Sequence, residues 1–143
     1  MRIPNRYTNR TLYEDDAPSL RETLENAVQG KKDLSDADLS GACLYRASLG
    51  GANLEGANLR SANLGGANLA GANLEGANLA GAHLYGANMG GAYLCGADLA
   101  GTDLAGANLE GADLTGADLG DAYLGDDVAA IQALRERAAG GAA

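Results

Sequence analysis

Leucine and alanine recur along the chain with a period of five residues. From Leu34 to Leu124 every fifth residue is leucine apart from Met89, which gives nineteen units, and alanine stands two residues before this centre in seventeen of them. Asparagine or aspartate usually precedes the centre, and glycine usually lies two residues after it. A period of five fits neither an α-helix nor a regular strand, so the chain must turn once in every unit.

Four such units close one coil if each forms one side of a rectangle. Alanine and leucine, two residues apart in an extended segment, then point inward together, and the leucine of residue n stacks on that of residue n+20. We predict an all-β solenoid of just under five coils, about 23 Å long at a coil spacing of ~4.8 Å. Phenylalanine and tryptophan are absent, and the tyrosines of the repeats occupy outward positions, as a narrow bore requires.

Runs of alanine, asparagine or aspartate, leucine, a variable residue and glycine, such as residues 52–56 and 112–116, resemble the pentapeptide-repeat family. The resemblance covers residues 32–126 and implies a right-handed quadrilateral β-helix. Characterised members of that family include fluoroquinolone-resistance proteins that bind DNA gyrase by mimicking DNA, whereas most members have no assigned activity. The near-identical units of residues 51–82 are also typical of a designed or consensus sequence, which is the alternative to a natural origin.

Residues 1–31 are expected to form an N-terminal cap, because an open coil exposes apolar side chains and unpaired backbone. We predict a short strand at Arg6–Tyr13, followed by a helix. Ser19 and Glu22 have the spacing of a capping box, with Asp16 as the alternative N-cap. The apolar face of this helix should cover the first coil and comprises Leu20, Leu24, Ala27 and Val28.

Residues 127–143 are expected to form the opposite cap, after a repeat domain of residues 32–126. Asp126 or Asp127 can cap a second helix at Val128–Ala138, beyond which the tail is expected to fray. The apolar face of this helix consists of Val128, Ile131 and Leu134. That face either closes the last coil or joins two chains, since members of the family that the chain resembles dimerise through their C-terminal ends.

The net charge of −9 resides in the repeats, which carry twelve acidic and three basic residues. Residues 98–126 contain acidic side chains and no basic one. Such a surface argues against direct binding of nucleic acid, since phosphate contacts need lysine and arginine. It either keeps the rod in solution or imitates DNA phosphates toward a basic partner such as DNA gyrase. The candidate partner-binding surface consists of Asp98, Asp103, Glu110, Asp113 and Asp118.

Cys43 and Cys95 are expected to stay unpaired, because their separation of 52 residues places them on different sides of the coil. Free thiols suit a reducing compartment, and the N-terminal segment lacks the apolar core of a signal peptide. The sequence also lacks a stretch as long as a membrane span. We therefore expect a cytoplasmic protein that has no contact with a membrane.

Few side chains offer chemistry. His83 is the single histidine, at an outward position, and no histidine and cysteine residues have the spacing of a metal site. Glu55 stacks with Glu75, and Asp98 with Asp118, but a cation site there would need a further ligand. Such pairs are expected to be solvated surface groups.

Tyr45 and Tyr85 lie two coils apart on one side, with Gly65 between them. This spacing predicts a shallow gap flanked by two rings, which is the best candidate contact spot on the repeats.

These observations favour a non-enzymatic structural or interaction protein. The sequence shows no nucleophile–base pair and no cofactor motif, so we expect no cofactor, metal or small-molecule substrate. The alternative is a DNA-mimicking regulator or inhibitor of a type II topoisomerase that uses the acidic repeat surface.

Overall fold

The computed structural model describes residues 1–126 and 128–140, without the side chains of residues 128–131. Asp127, one of the two expected N-caps of the second helix, and the tail at 141–143 lie outside the described residues. The regular elements are β1 (Arg2–Pro4), β2 (Thr11–Glu14), α1 (Leu20–Gln29) and α2 (Val128–Ala138). Between the helices, the repeats form single bridges and turns at a constant spacing.

The predicted strand at Arg6–Tyr13 is confirmed only from Thr11, because the residues before Thr11 form the connection between β1 and β2. The two strands pair in antiparallel orientation. Asn5 closes the turn, since its Oδ1 accepts hydrogen bonds from the amides of Tyr7 and Thr8 at 3.0 and 2.9 Å. An asparagine side chain competes for backbone donors, which favours a turn over a continuous strand.

Helix α1 begins at the expected capping box. Ser19 is the N-cap, and its Oγ accepts a hydrogen bond from the amide of Glu22 at 3.2 Å. The carboxylate of Asp15 accepts further hydrogen bonds from Asn26 and Thr23, at 2.8 and 2.6 Å. These bonds, that from Asn26 foremost, lower the pKa of Asp15 to about 2. Asp15 is therefore ionised at neutral pH and ties the chain before α1 to the helix.

Residues twenty positions apart lie side by side throughout the repeats. Parallel bridges join Asn58 to Asn78 and Asn78 to Asp98, and the same spacing holds over residues 33–123. The amide of Leu59 donates a hydrogen bond to the carbonyl of Asn78 at 2.7 Å. Because each unit has five residues, twenty residues make four sides, and the structure has the predicted stack of coils.

The leucine and alanine of each unit fill the interior of the stack. Leu54, Leu74 and Leu94 are fully buried. Thr102 replaces one interior alanine, and its Oγ1 donates a hydrogen bond to the carbonyl of Leu99 at 2.8 Å. This bond satisfies a buried hydroxyl that would otherwise destabilise the core.

Each corner combines a left-handed residue with a side-chain turn. Gly76, two residues after its leucine, has a φ of 62°, and Arg46 and Ser61 adopt 55 and 57° at equivalent corners. The asparagine or aspartate before the leucine accepts a hydrogen bond from the amide two residues ahead, as Asn78 does from Ala80 at 3.0 Å. These two needs explain why glycine and asparagine or aspartate recur in the units.

Contacts of the terminal segments close both ends of the stack. Leu24 and Ala27 of α1 are buried in the same core as the first coil. At the other end, Arg137 of α2 donates a hydrogen bond to the carbonyl of Leu109 at 3.2 Å. The division into residues 1–31, 32–126 and 127–143 stays a prediction.

Candidate interaction surface

The outward residues of the coils form four faces, which exclude the buried leucine or methionine at the second position of each range given below. The tyrosine face comprises residues 43–46, 63–66, 83–86, 103–106 and 123, and the flat face comprises residues 48–51, 68–71, 88–91 and 108–111. The glutamate face comprises residues 33–36, 53–56, 73–76, 93–96 and 113–116, and the aspartate face comprises residues 38–41, 58–61, 78–81, 98–101 and 118–121. The tyrosine and glutamate faces lie on opposite sides of the coil, as do the flat and aspartate faces.

Tyr45 and Tyr85 form an aromatic pair on the tyrosine face. Their ring centroids lie 6.4 Å apart with planes inclined by 36°, within the range of favourable pairs. The predicted gap between the rings is filled, because the Tyr85 ring lies over Gly65. A methyl group on Gly65 would come within 2.6 Å of that ring. Burial against the coil raises the pKa of Tyr85, yet 43% of its surface is still exposed.

Two arginines stand beside this pair at the first coil. The guanidinium of Arg46 lies 5.2 Å from the ring centroid of Tyr45, in cation–π geometry. Arg21 of α1 donates a hydrogen bond to the carbonyl of Tyr45 at 3.3 Å. Over the part of the chain that the structure describes, neither arginine forms an ion pair. The N-terminal end of the tyrosine face is therefore aromatic and positively charged.

The C-terminal end of the same face is negatively charged. It carries Asp103 and Asp126, and the Oη of the exposed Tyr123 donates a hydrogen bond to Asp126 at 3.1 Å. This bond raises the pKa of Tyr123. His83 is exposed midway along the face and lies beside Asp103 in the ladder. The charge of the tyrosine face thus changes sign from the first coil to the last.

The predicted acidic surface is divided among all four faces. Asp98 and Asp118 lie on the aspartate face, and Asp103 lies on the tyrosine face. Glu110 lies on the flat face and Asp113 on the glutamate face. Residues that follow one another along the chain circle the rod, so these five carboxylates do not share one side.

The aspartates of this set also stabilise turns. Asp113 accepts a hydrogen bond from the amide of Thr115 at 3.0 Å, and bonds from Thr115 lower the pKa of Asp113. A hydrogen bond with Asp113 raises the pKa of the Cys95 thiol, which makes Cys95 a weaker nucleophile than a free cysteine. Asparagine accepts the same turn bond, so an Asp→Asn change removes charge and keeps the turn.

Cys43 and Cys95 lie on opposite faces as free thiols, so the prediction that they do not pair is confirmed. Of the stacked carboxylates, Glu55 accepts a hydrogen bond from Asn73 at 3.4 Å. Over residues 1–126 and 128–140, no three His, Cys, Asp or Glu side chains converge as metal ligands. Neither helix of the described chain is long and apolar enough to cross a membrane.

Helix α2 lies over the last coil. Leu134, one residue of the predicted cap or dimer face, packs partly buried against the core, whereas the side chains of Val128 and Ile131 lie outside the described residues. The amide of Gly116 donates a hydrogen bond to the carbonyl of Ala138 at 2.8 Å. A groove of about 370 Å³ stays open beside these contacts, and its lining includes Ala117, Leu119, Arg135 and Ala138.

The repeat unit and its coil geometry match known proteins. The family model described as pentapeptide repeats (8 copies) matches residues 33–69, 62–99 and 92–126. The chain belongs to the pentapeptide-repeat family. The family resemblance seen in the sequence is therefore confirmed, and it extends over the whole stack of coils.

Two solved structures of pentapeptide-repeat proteins from the cyanobacterium Nostoc are similar to this chain. HetL, which is involved in the regulation of heterocyst differentiation, is 42% identical with a TM-score of 0.60. The match covers 62% of this chain and 40% of HetL, so the chain spans about two fifths of the length of HetL. The protein alr5209 is 32% identical with a TM-score of 0.57, over 82% of this chain and 96% of alr5209. No curated protein sequence matches the chain.

Sequence reasoning did not identify Arg46, Arg21 or Asp126 as residues of a candidate surface. No repeat spacing identifies Asp126, because the ladder of coils ends at Tyr123 and Gly125 turns the chain with a φ of 85°. Arg21 belongs to α1, and no repeat spacing relates a residue of the cap to a face of the rod.

Proposed function

We propose that this pentapeptide-repeat protein is a non-enzymatic interaction protein, a right-handed quadrilateral β-helix that presents a binding surface on a rigid rod. The observation that carries the proposal is the tyrosine face, where the ring pair of Tyr45 and Tyr85 and the guanidinium of Arg46 are exposed together. Tyrosine and arginine are enriched at protein interfaces and at their energetic centres. Aspartate, glutamate and alanine, which are common on the other faces, are depleted there.

The tyrosine face is also fixed before any partner arrives. Tyr85 rests on Gly65, and Arg46 rests on Tyr45, so these side chains have already lost part of their rotamer freedom. Ordering a long side chain at an interface costs about 0.5 to 1.5 kcal/mol. A surface that is fixed in advance avoids part of this cost, which favours binding.

The proposal is tested by photo-crosslinking from matched positions. Ala105 and Ala70 are both half-buried and occupy the same place in their units, but Ala105 lies on the tyrosine face and Ala70 on the flat face. A photoreactive phenylalanine analogue at each position would be irradiated in an extract of the organism that encodes the chain. We expect discrete protein adducts from position 105 and at least about tenfold fewer from position 70, since only the former adjoins the ring pair.

Melting curves of both labelled proteins serve as the control, because an unfolded rod would expose either probe to random contacts. Equal labelling from the two positions in folded protein, or no adduct from position 105, would contradict the tyrosine face as a binding surface.

In the same proposal the two helices act as caps of the rod. The contact of Leu134 with the core supports a lid function for α2. A homodimer through the C-terminal end, with Val128, Ile131 and Leu134 at its centre, stays the alternative for that helix, and the cytoplasmic location stays a prediction.

Residues 98–126 carry acidic side chains and no basic one, and this charge supports a second candidate function. In that function the chain binds to a type II topoisomerase such as DNA gyrase at the site that DNA would occupy. The division of the carboxylates among four faces weakens this candidate, because a basic groove would meet only those on the sides it encloses. Two acids, Asp98 and Asp118, do stand in line on the aspartate face.

Replacing Asp98, Asp103, Asp113 and Asp118 together by asparagine tests this candidate. The four turns keep their acceptors, so the fold should persist while the net charge falls from −9 to −5. If the protein mimics DNA, micromolar wild-type chain inhibits or protects gyrase in a supercoiling assay, and the variant loses the effect by about tenfold or more. Supercoiling that wild-type protein leaves unchanged at high concentration removes the candidate.

A further inference from the structure

One side of the last coil has an open backbone edge. In the coil before it, the amide of Leu99 donates a hydrogen bond to the carbonyl of Asp118 at 2.7 Å. Leu119 and Asp121 hold the donor positions of the last coil, yet within residues 1–126 and 128–140 neither amide has an acceptor. The carbonyl of Ala117, which faces the same way, has no donor among these residues either. Two donors and one acceptor of a β-ladder are therefore unused at residues 117–121.

Helix α2 satisfies the equivalent groups on the neighbouring side of the coil. The amide of Gly116 donates a hydrogen bond to the carbonyl of Ala138 at 2.8 Å, and the guanidinium of Arg137 donates one to the carbonyl of Ala112. The helix thus takes the place of a further coil over residues 112–116. Proteins commonly cover a β-edge in this way, because an uncovered edge pairs with other chains.

The open edge borders the groove beside α2. This groove has a volume of about 370 Å³ and is mainly apolar, with Ala117 and Leu119 on the side of the coil and Ala138 and Ala139 on the side of the helix. Arg135 also lines it, is exposed, and forms no ion pair with the described part of the chain. Unused ladder groups, an apolar groove and a positive charge therefore occur together.

We propose that this groove binds an extended segment of another protein, which adds a parallel strand to the edge at residues 117–121. One residue of the segment donates its amide to Ala117 and accepts a bond from Leu119, and the residue two positions later accepts a bond from Asp121. This is the register of a further coil. Strand addition to an open edge is an established mode of peptide recognition.

The register determines which side chains the segment carries. Residues on either side of the one that pairs with Ala117 point into the groove, since side chains alternate along a strand. We therefore expect two apolar residues two positions apart, with an acidic residue within reach of Arg135. An α-helix uses its backbone groups internally, so a helical partner would leave the edge unsatisfied. The site lies at the end of the rod, apart from the tyrosine face of the proposed function.

A synthetic peptide tests the proposal by nuclear magnetic resonance of the ¹⁵N-labelled full chain. The probe is acetyl-Gly-Ala-Asp-Leu-Ala-Gly-amide, which repeats residues 96–101 and has the required pattern. We expect the amide resonances of Leu119 and Asp121 to shift as they gain acceptors. Because the segment is short, the dissociation constant should be about 0.1 to 3 mM.

Methylation of single peptide nitrogens distinguishes strand addition from apolar contact alone. The aspartate nitrogen of the peptide carries the donor for Ala117, so its methylation should weaken binding by about tenfold or more. The leucine nitrogen points away from the edge, and its methylation should change the affinity by less than about threefold.

Two variants of α2 form a matched pair on the protein side. Ala139 and Ala133 are both exposed, but only Ala139 lines the groove. Ala139→Trp fills the groove and should weaken binding by about tenfold or more, whereas Ala133→Trp should have no effect. Arg135→Glu should weaken binding by about threefold or more, and a peptide with lysine in place of aspartate should bind this variant better than it binds the wild-type chain.

Amide exchange of the peptide-free chain shows whether the edge is open. The amides of Leu119 and Asp121 should exchange at least about 100-fold faster than that of Leu99. Slow exchange at both would show that residues 141–143 or a second copy already cover the edge, and would overturn the inference. Unchanged resonances at about 5 mM peptide, or shifts confined to β2, would also overturn it. Failure of crosslinking from position 105 would affect the tyrosine face alone.

Discussion

Leu74→Ala is expected to lower the free energy of unfolding by about 3 to 5 kcal/mol, the upper part of the range for buried leucine. Leu74 is fully buried between Leu54 and Leu94 in the column of leucines. The hydrogen bonds between coils fix the backbone around this column, so neighbouring side chains can fill only part of the cavity. Against a total stability of about 5 to 15 kcal/mol, the loss should be plain in urea unfolding followed by circular dichroism.

Glu75→Ala is the matched control, because Glu75 belongs to the same unit and points to solvent. Its effect should stay within about 0.5 kcal/mol. If Leu74→Ala costs no more than this control, the leucines do not form a tightly packed interior.

Deletion of the single residue Asn88 is expected to damage the fold more than deletion of the twenty residues 86–105. Without Asn88, Ala87 and Met89 are adjacent and cannot both point inward, and every later coil loses its register with those before it. Deletion of residues 86–105 removes one whole coil and joins Tyr85 to Gly106, which occupies the same corner as Gly86. The shorter rod keeps every column, because coils interact only with their neighbours.

Thermal melting of both deletion variants provides the measurement. The twenty-residue deletion should melt cooperatively at a lower temperature than the wild-type chain, since it loses four buried leucine-position side chains. The one-residue deletion should lose cooperative melting or more than about 5 kcal/mol of stability, as expected when the core and its hydrogen bonds are disrupted together. A one-residue deletion that melts like the wild-type chain would show that the five-residue register is not required.

The sequence was sufficient to predict the stack of coils, because the determinant is periodic. Leu54, Leu74 and Leu94 share one environment repeated three times, and a strict spacing leaves one register in which all of them are buried. The start of α1 was also predictable, since a capping box depends on residues that are close in sequence.

Other features depend on contacts that no period specifies. The turn after β1 depends on the side chain of Asn5, which accepts hydrogen bonds from the amides of Tyr7 and Thr8. The pattern of apolar residues does not reveal these side-chain bonds, which compete with the backbone pairing of a continuous strand. The position of the Tyr85 ring over Gly65 depends on a rotamer, so the sequence predicted a gap where the structure has a ring. Side-chain direction at a surface is set by small energies that spacing does not encode.

The candidate surface shows the same limit in another way. Composition located the negative charge in the last coils. The order of the acids along the chain does not show that consecutive units lie on adjacent faces of the rod, a quarter turn apart. A comparison at multiples of twenty separates these acids, since Asp98 lies beside Asp118 and Asp103 lies beside Tyr123.

Nuclear magnetic resonance couplings transmitted across backbone hydrogen bonds test the central claim most directly, that each unit turns the chain by one quarter of a coil. They would be recorded between amide nitrogens and carbonyl carbons in the deuterated chain. The account predicts a coupling from Leu59 to Asn78 and another from Leu79 to Asp98, each nineteen residues ahead. Couplings from these amides to carbonyls at any other separation would contradict it.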